Sequence, residues 1–273
     1  MTTGRAMRRV DVSRVAAVVL LALCAVAILA PAVAPYAADA LDLAHRRAAP
    51  SAAHWLGTDE LGRDLLSRIL FGARVSLAVG LVAGALCAAI GVTVGAAAGF
   101  AGGWVDDVLM RATDAVLSVP RLPLLMIAAA VLQPSVVLLV VLVAAAGWME
   151  TARVVRAEVQ SVRARDFVTA ARSVGAGRAR IVARHILPAV VPVAAVATTV
   201  AVGRSILLES ALSFFGVGVQ PPTASWGSML YQGQGTMTSE PWLAIFPGAC
   251  IFLTVLALNA LGDRLAMRDS NPT

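Results

Sequence analysis

The stretch DFVTAARSVGAGRARIVARHILP, Asp166–Pro188, is a polar, arginine-rich segment between two long apolar runs. Its pattern predicts a short helix, a glycine break and a second helix that ends at a proline. Asp166 is expected to cap the first helix, because its side chain can accept a hydrogen bond from a free N–H group of the first turn. Gly175 is expected to end that helix, because glycine readily adopts the left-handed conformation found after a helix C-terminus. The stretch therefore predicts a helical hairpin at a membrane surface.

The composition of the whole chain is that of an integral membrane protein. Hydrophobic residues make up 59% of the 273 positions and charged residues only 14%, whereas about 25% of a soluble domain is charged. A membrane-spanning helix needs about 20 apolar residues, and six runs in the sequence are candidates. We therefore expect an all-α integral membrane fold with six transmembrane helices.

The predicted spans are separated by short turns and mixed or polar loops. They are residues 15–36, residues 75–100, a third span that is kinked at Pro120 and Pro123 and ends near Leu132, and then Ser135–Trp148, Leu187–Glu209 and Trp242–Gly262. A turn, AGGWVDD, precedes the third span, and a two-residue turn at Gln133 and Pro134 follows it.

Arginine residues orient these spans. All 22 basic residues are Arg, and eight of them lie between Glu150 and His185, against three acidic residues. Loops rich in Arg stay in the cytosol, so residues 1–14, with Arg5, Arg8, Arg9 and Arg14, the loop 150–186 and the tail 265–273 are predicted to be cytosolic. Residues 37–74 and 210–241 are predicted to be external. The expected location is the bacterial cytoplasmic membrane, with several crossings and both termini in the cytosol.

The residues before and within the second span indicate how that helix packs. His54–Leu77 is expected to form an interfacial helix, capped by Thr58 or Asp59, that leads into the second span; a solvated connecting helix is the alternative. The second span carries a stripe of glycines that lets a neighbouring helix approach closely. These glycines are Gly80, Gly84, Gly91, Gly95 and Gly99.

Charged residues near the spans have two possible interpretations. A group at the start of the third span is expected to be solvated at the cytosolic surface, with a charge in a transport pathway as the alternative; its members are Asp106, Asp107, Arg111 and Asp114. Arg204 lies within the fifth span, where it either extends to the outer surface, as long cationic side chains do, or faces a translocation path.

Several function classes are excluded or disfavoured by the composition. The chain has no Lys, so it cannot build a P-loop for nucleotide phosphates or a Schiff-base site. The arginines lie beside apolar spans and orient helices, so no nucleic-acid partner is expected. A serine protease could use Gly203-Arg204-Ser205-Ile206, but it would need a nearby base, and the three histidines lie outside the predicted spans. We predict no catalytic residue, no metal site and no bound cofactor.

The first helix of the hairpin has one apolar face. The residues on this face, at helical spacing, are Phe167, Ala170, Ala171 and Val174, while Thr169 and Arg172 lie away from it. A small apolar helix of this kind suits insertion into a groove of a partner protein. The alternative is a helix that lies on anionic lipid, with Arg at the headgroups.

The spacing in the hairpin resembles the EAA loop of binding-protein-dependent ABC transporter permeases. The matching residues are Thr169-Ala170-Ala171, Gly175 four positions after Ala171, and the terminal Leu187-Pro188. Thr169 stands where the family usually has Glu, and His185 stands where it usually has Ile. His54–Leu77 and Leu212–Leu230 resemble the dipeptide, oligopeptide and nickel subgroup of these permeases, of the C type.

This resemblance implies a type I ABC importer permease fold. It implies that Asp166–Gly175 is a coupling helix that docks on an ATP-binding subunit, with His185, Leu187 and Pro188 as further coupling positions. The implied partners are a second permease in a heterodimer, two ATP-binding subunits that hold ATP and Mg²⁺, and an extracytoplasmic binding protein that delivers peptides or nickel. The remaining alternative is an ion-coupled secondary transporter, which also uses several spans and broken helices.

Overall fold

The structure is a computed structural model that describes residues 3–132 and 135–269. The predicted turn at Gln133 and Pro134 and residues 270–273 of the predicted tail lie outside the described residues, and so do the side chains of Arg5, Arg8 and Arg9. The described chain is built from helices. They are α1 (Thr3–Val33), α2 (Leu65–Ala101), α3 (Gly103–Leu117), α4 (Arg121–Val131), α5 (Val136–Gly147), α6 (Met149–Arg163), α7 (Asp166–Ser173), α8 (Arg178–Ile181), α9 (Leu187–Phe214), α10 (Trp226–Gly233) and α11 (Trp242–Asp269).

The helices provide up to six membrane spans. Within the described residues, four stretches are long and apolar enough to cross a bilayer unaided: Ser13–Val33, Leu65–Ala101, Arg178–Phe214 and Trp242–Met267. Two bent pairs supply two further spans when each pair is counted as one; α3 and α4 meet at 77°, and α5 and α6 meet at 40°. The predicted all-α membrane fold is confirmed.

The helix that contains the second span begins at Leu65, before the predicted start of the span at residue 75 but after the predicted caps Thr58 and Asp59. Its N-cap is Asp64, whose carboxylate accepts a hydrogen bond from Ser67 N–H at 2.8 Å, so the predicted caps Thr58 and Asp59 are wrong. From Leu65 the helix runs without a break for 37 residues. No separate interfacial helix forms, because Leu65 and Ile69, on the same face of α2, are buried. They belong to a core cluster with Met229 and Leu243.

The third span is broken rather than kinked. α2 is followed by Gly102, which has a φ of +67°, and the next helix starts at Gly103. Most of the predicted AGGWVDD turn is therefore helical. Pro120 directly precedes α4 and ends the short link between α3 and α4. Pro123 lies in the first turn of α4. An N–H group at that position has no helical partner, so the proline does not interrupt the helix.

The glycine stripe of α2 packs closely against two other helices, as predicted. A Cβ atom added to Gly84 would lie 2.5 Å from Cα of Val202 in α9. One added to Gly99 would lie 2.8 Å from the carbonyl oxygen of Arg156 in α6. Only glycine permits these backbone approaches, so α2 is the helix against which α6 and α9 are both seated.

The two loops predicted to be external lie together. Arg63 and Arg68, at the start of α2, both donate to Oε1 of Gln232, at 3.2 and 3.0 Å. The opposite end of α2 is held by Arg163, which donates to the carbonyl oxygen of Phe100 at 3.0 Å and precedes α7. The loop around residues 34–64 and the segment 215–241 thus share one end of the bundle, and α7 lies at the other.

A buried carboxyl group connects the spans to the end of the bundle that carries residues 34–64 and 215–241. Glu209 in α9 is fully buried and accepts hydrogen bonds from the hydroxyls of Ser76 at 3.2 Å and Ser213 at 2.8 Å. The Ser76 hydroxyl also accepts a hydrogen bond from the backbone N–H of Trp226 at 3.1 Å. The predicted fifth span stopped at Glu209, but α9 continues to Phe214 because this carboxyl group is satisfied inside the protein.

Candidate coupling helix and charged cavity

Helix α7 has the bounds that the sequence indicates, with one correction at its start. The N-cap position is Arg165, which makes no side-chain cap bond, and Asp166 is the first helical residue. Asp166 therefore acts as an acidic residue in the first turn, which the helix dipole favours, and not as the cap. At the other end Gly175 has a φ of +84°. The backbone N–H of Gly175 donates to the carbonyl oxygen of Arg172, and that of Ala176 donates to the carbonyl oxygen of Ala171 at 3.0 Å. This is the pattern of a Schellman motif.

The predicted apolar face of α7 points away from the rest of the chain. Val174 is 86% exposed and Phe167 is 44% exposed. Ala170 and Thr169 are also exposed, while Ala171 is half-buried. Phe167 in α7 and Val174 at its C-cap are therefore available for contact with something outside this chain.

Val168 fastens α7 to the bundle. Its side chain is fully buried in a cluster with valines of α6 and with residues from α8 to the start of α9. The cluster consists of Val155, Val159, Val162, Val168, Ile181, Ile186 and Val190. Val168 is not among the coupling residues predicted from the sequence. The helical spacing of Val155, Val159 and Val162 could have indicated a buried seam at this position.

The rest of the hairpin leads directly into α9. After α8, a π-helical turn covers Val182–Ile186, and α9 follows with Pro188 in its first turn. The ring of His185 lies 5.9 Å from the ring of Phe167, measured between centroids, so these two predicted site residues are brought together. Leu187 and Pro188 are exposed at the start of α9.

A second group of residues lines cavities between α4, the junction of α5 and α6, and α9. Glu150 accepts from Nη2 of Arg121 at 2.6 Å, and Nη1 of Arg204 lies 3.5 Å from the same oxygen, Oε1. The other oxygen, Oε2 of Glu150, is buried and has no hydrogen-bond partner. Glu150 is shared by two cavities of about 330 Å³ and 640 Å³.

These contacts bear on the predictions for two charged residues. Arg204, predicted either to extend to the outer surface or to face a translocation path, lies 3.5 Å from Glu150 and has a side chain that is 55% exposed. Glu150 is the first residue of the predicted cytosolic loop 150–186, but it lies at the bend where α5 ends and α6 begins. Two guanidinium groups face one carboxylate here, so the wall of the cavities is positively charged.

The charges at the start of the third span are not simply solvated. Asp106 is buried and accepts from Nη2 of Arg156 at 2.6 Å and from Gln160 at 2.9 Å. Asp114 pairs with Arg153. Both ion pairs join α3 to α6. The surface interpretation is wrong for Asp106, which is buried, whereas the side chain of Asp114 is 58% exposed and lies at the surface as expected. Asp107 and Arg111 are exposed, as expected.

The spans, the broken helices and the charged cavity define the membrane-embedded subunit of a transporter. Residues 91–268 match the family described as binding-protein-dependent transport system inner membrane component. The chain belongs to this family. It has the type I ABC importer permease fold and is the permease subunit of an ABC importer. Members of the family act with a partner permease, an ATPase and a binding protein.

Individual relatives are similar over nearly the whole chain. The chain is 43% identical to the glutathione transport system permease protein GsiD of Shigella flexneri serotype 5b. It is 41% identical to the proteins of the same name from Escherichia coli O6:K15:H31 and Shigella boydii serotype 4. Each match covers 96% of this chain and 86% of the relative. These relatives are transport permeases, which does not favour the protease or the ion-coupled transporter.

Proposed function

We propose that this chain pairs with a second permease to form the path for short peptides, including peptides of the glutathione type. An extracytoplasmic binding protein delivers the peptide to the end of the bundle that carries residues 34–64 and 215–241. Two separate subunits bind ATP and Mg²⁺ at the opposite end, where α7 and both termini face the cytosol. The names of the similar permeases favour a peptide substrate over nickel.

The observation that carries this proposal is the arrangement of α7. Its exposed residues Phe167, Ala170 and Val174 are free to enter a cleft of an ATP-binding subunit, while Val168 is locked into the cluster with α6 and the start of α9. A cleft that moves when ATP is bound would displace α7. Because the buried cluster is close-packed and resists deformation, α6 and α9 would follow as rigid bodies.

The charged cavity is the proposed contact for the substrate. The C-terminal carboxylate of a peptide is bound well by a guanidinium group, since two parallel N–H bonds can form. Arg204 and Arg121 supply these groups, and the unpartnered Oε2 of Glu150 can accept from the peptide's ammonium group. Arg204 is thus a pathway residue in this proposal.

The test is uptake by a reconstituted complex. Proteoliposomes that hold this chain, its second permease and the ATP-binding subunits are given binding protein and radiolabelled glutathione, with ATP inside or outside. We expect uptake only when ATP reaches the ATP-binding subunits, and none when those subunits carry a hydrolysis-deficient substitution. Uptake that persists without hydrolysis and follows an imposed proton gradient would overturn the proposal in favour of an ion-coupled transporter. Uptake of Ni²⁺ without any peptide uptake would overturn the substrate assignment.

A further inference from the structure

Two of the chain's three histidines meet in the loop between α1 and α2. Asp42, His45 and His54 each offer one donor atom, and these atoms lie within 4.8 Å of one another. The imidazole rings of His45 and His54 have centroids 6.1 Å apart. None of these side chains belongs to the coupling helix or to the charged cavity. The grouping therefore needs an explanation of its own.

His54 is held in an orientation that suits a metal ligand. It is 7% exposed, its Nδ1 lies 3.0 Å from Oδ1 of Asp64, and the ring of Tyr36 packs against it at 5.0 Å. The other oxygen of Asp64 is fixed by capping α2 through Ser67. A histidine that binds a metal through one ring nitrogen commonly donates the N–H of the other to a carboxylate. This hydrogen bond sets the tautomer and the orientation of the ring. Nε2 of His54 is the atom that remains available for an ion.

Asp42 precedes a single short turn and His45 is its last residue, and both side chains are open to solvent. Asp42 caps the 3₁₀ turn Leu43–His45 by accepting from Ala44 N–H at 3.2 Å. Its Oδ2 lies 2.8 Å from Nδ1 of His45. The side chains are 62% exposed for His45 and 42% exposed for Asp42, so an ion can reach them.

The backbone that carries these groups is fixed on both sides. Arg47 N–H donates to the Asp59 carbonyl at 2.9 Å, and Arg46 Nε donates to the Glu60 carbonyl at 2.7 Å. The hydroxyl of Thr58 donates to the carbonyl of His45. Ligand atoms around a tetrahedral zinc ion lie about 3.4 Å apart, given bonds of about 2.0–2.2 Å. The donor atoms lie within 4.8 Å of one another, so closing the site requires shifts of up to about 1.4 Å, which the exposed His45 can make by side-chain rotation.

We propose that Asp42, His45 and His54 bind a divalent ion of the zinc type, with Asp64 as the residue that positions His54. Two imidazoles and one carboxylate favour zinc over calcium or magnesium, which prefer oxygen ligands. Three protein ligands leave a fourth position for water or for a donor from a docked protein. This departs from the expectation of no metal site, because the two histidines lack the short regular spacing of zinc motifs. The site does not depend on the proposed function.

The site can be tested on the purified permease in lipid nanodiscs, prepared without a polyhistidine tag. Zn²⁺ is titrated by calorimetry, and Co²⁺ is titrated as a spectroscopic stand-in whose visible absorption reports its ligands. We expect one saturable Zn²⁺ ion per chain. His45→Asn and Asp42→Asn, both at exposed positions, should each weaken binding at least tenfold and change the Co²⁺ spectrum. His185→Asn is the matched control and should change neither.

Asp64→Asn tests the positioning role. Asparagine can still cap α2, but it no longer holds His54 through a carboxylate, so about 10–100-fold weaker Zn²⁺ binding is expected. The proposal is overturned if no saturable site is found, or if Zn²⁺ affinity and the Co²⁺ spectrum are unchanged in both His45→Asn and Asp42→Asn. Loss of binding in His185→Asn alone would also overturn it, because that residue lies at the other end of the bundle.

Discussion

Arg204 and Glu150 meet across the junction between α9 and the α5–α6 bend, with Nη1 of the arginine 3.5 Å from Oε1 of the carboxylate. Arg121 approaches the same oxygen at 2.6 Å. One carboxylate cannot neutralise two guanidinium groups, so an excess positive charge faces the cavities. A mobile anionic group would be attracted to this point.

Arg204→Gln is therefore expected to weaken substrate binding within the path. Losing a charged hydrogen bond costs about 1.5–3 kcal/mol, which corresponds to roughly 10–100-fold in the substrate concentration needed for half-maximal uptake. Uptake by reconstituted complexes measures this change. Arg74→Gln is the control, because Arg74 is an exposed residue of α2 that lines none of these cavities. Equal uptake curves for Arg204→Gln and the unmodified complex would contradict the pathway role.

Gly175→Trp is expected to uncouple the complex while leaving the chain in the membrane. A side chain at Gly175 meets no atom within 4 Å, but its φ of +84° disfavours any L residue by about 1–2 kcal/mol. The end of α7 would shift, and substrate-stimulated ATP hydrolysis would be lost. Gly177→Trp is the matched control, since Gly177 has equally open surroundings and a φ of −65°. Full stimulation in Gly175→Trp would show that α7 is not the coupling element.

Neighbouring positions in α7 should respond in opposite ways to a glutamate. Thr169→Glu places the residue that is usual in the family at an exposed position, so we expect normal assembly with the ATP-binding subunits. Val168→Glu would bury a charge in the fully apolar cluster, at a cost of several kcal/mol. Co-purification of the subunits and protease resistance of residues 150–186 measure both effects. Failure of Thr169→Glu to assemble would argue against the family alignment at this position.

Asp106→Asn should loosen α3 from α6. The substitution removes the charge that faces Arg156 and leaves the buried contact with Gln160 weaker. Because Arg156 is partly exposed, we expect a loss of about 1–2 kcal/mol, seen as a melting temperature lowered by a few degrees in detergent. Asp107→Asn changes an exposed neighbour and should leave the melting temperature unchanged. The pairing would have no stabilising role if both variants melted alike.

The features that could be predicted from the sequence are those with a local signal. The glycine stripe of α2, the left-handed Gly175 and the apolar runs follow from spacing or from one residue's conformational preference. The ion pairs could not be predicted, because 29 positions separate Arg121 from Glu150 and 50 separate Asp106 from Arg156. The start of α2 was misplaced for a similar reason: several residues before it can cap a helix, and a bridge between Thr58 and Asp64 selects the last of them.

The buried Glu209 has a mechanical consequence for α9. This helix is continuous from Leu187, beside the hairpin that carries α7, to Phe214 at the far end of the bundle. Its 28 residues make a rod of about 42 Å at about 1.5 Å per residue. At the far end, Glu209 and Ser76 hold the first residue of α10, Trp226, against α9. A force applied to α10 from outside the membrane and a force applied to α7 from the cytosol would thus act on opposite ends of the same helix, α9.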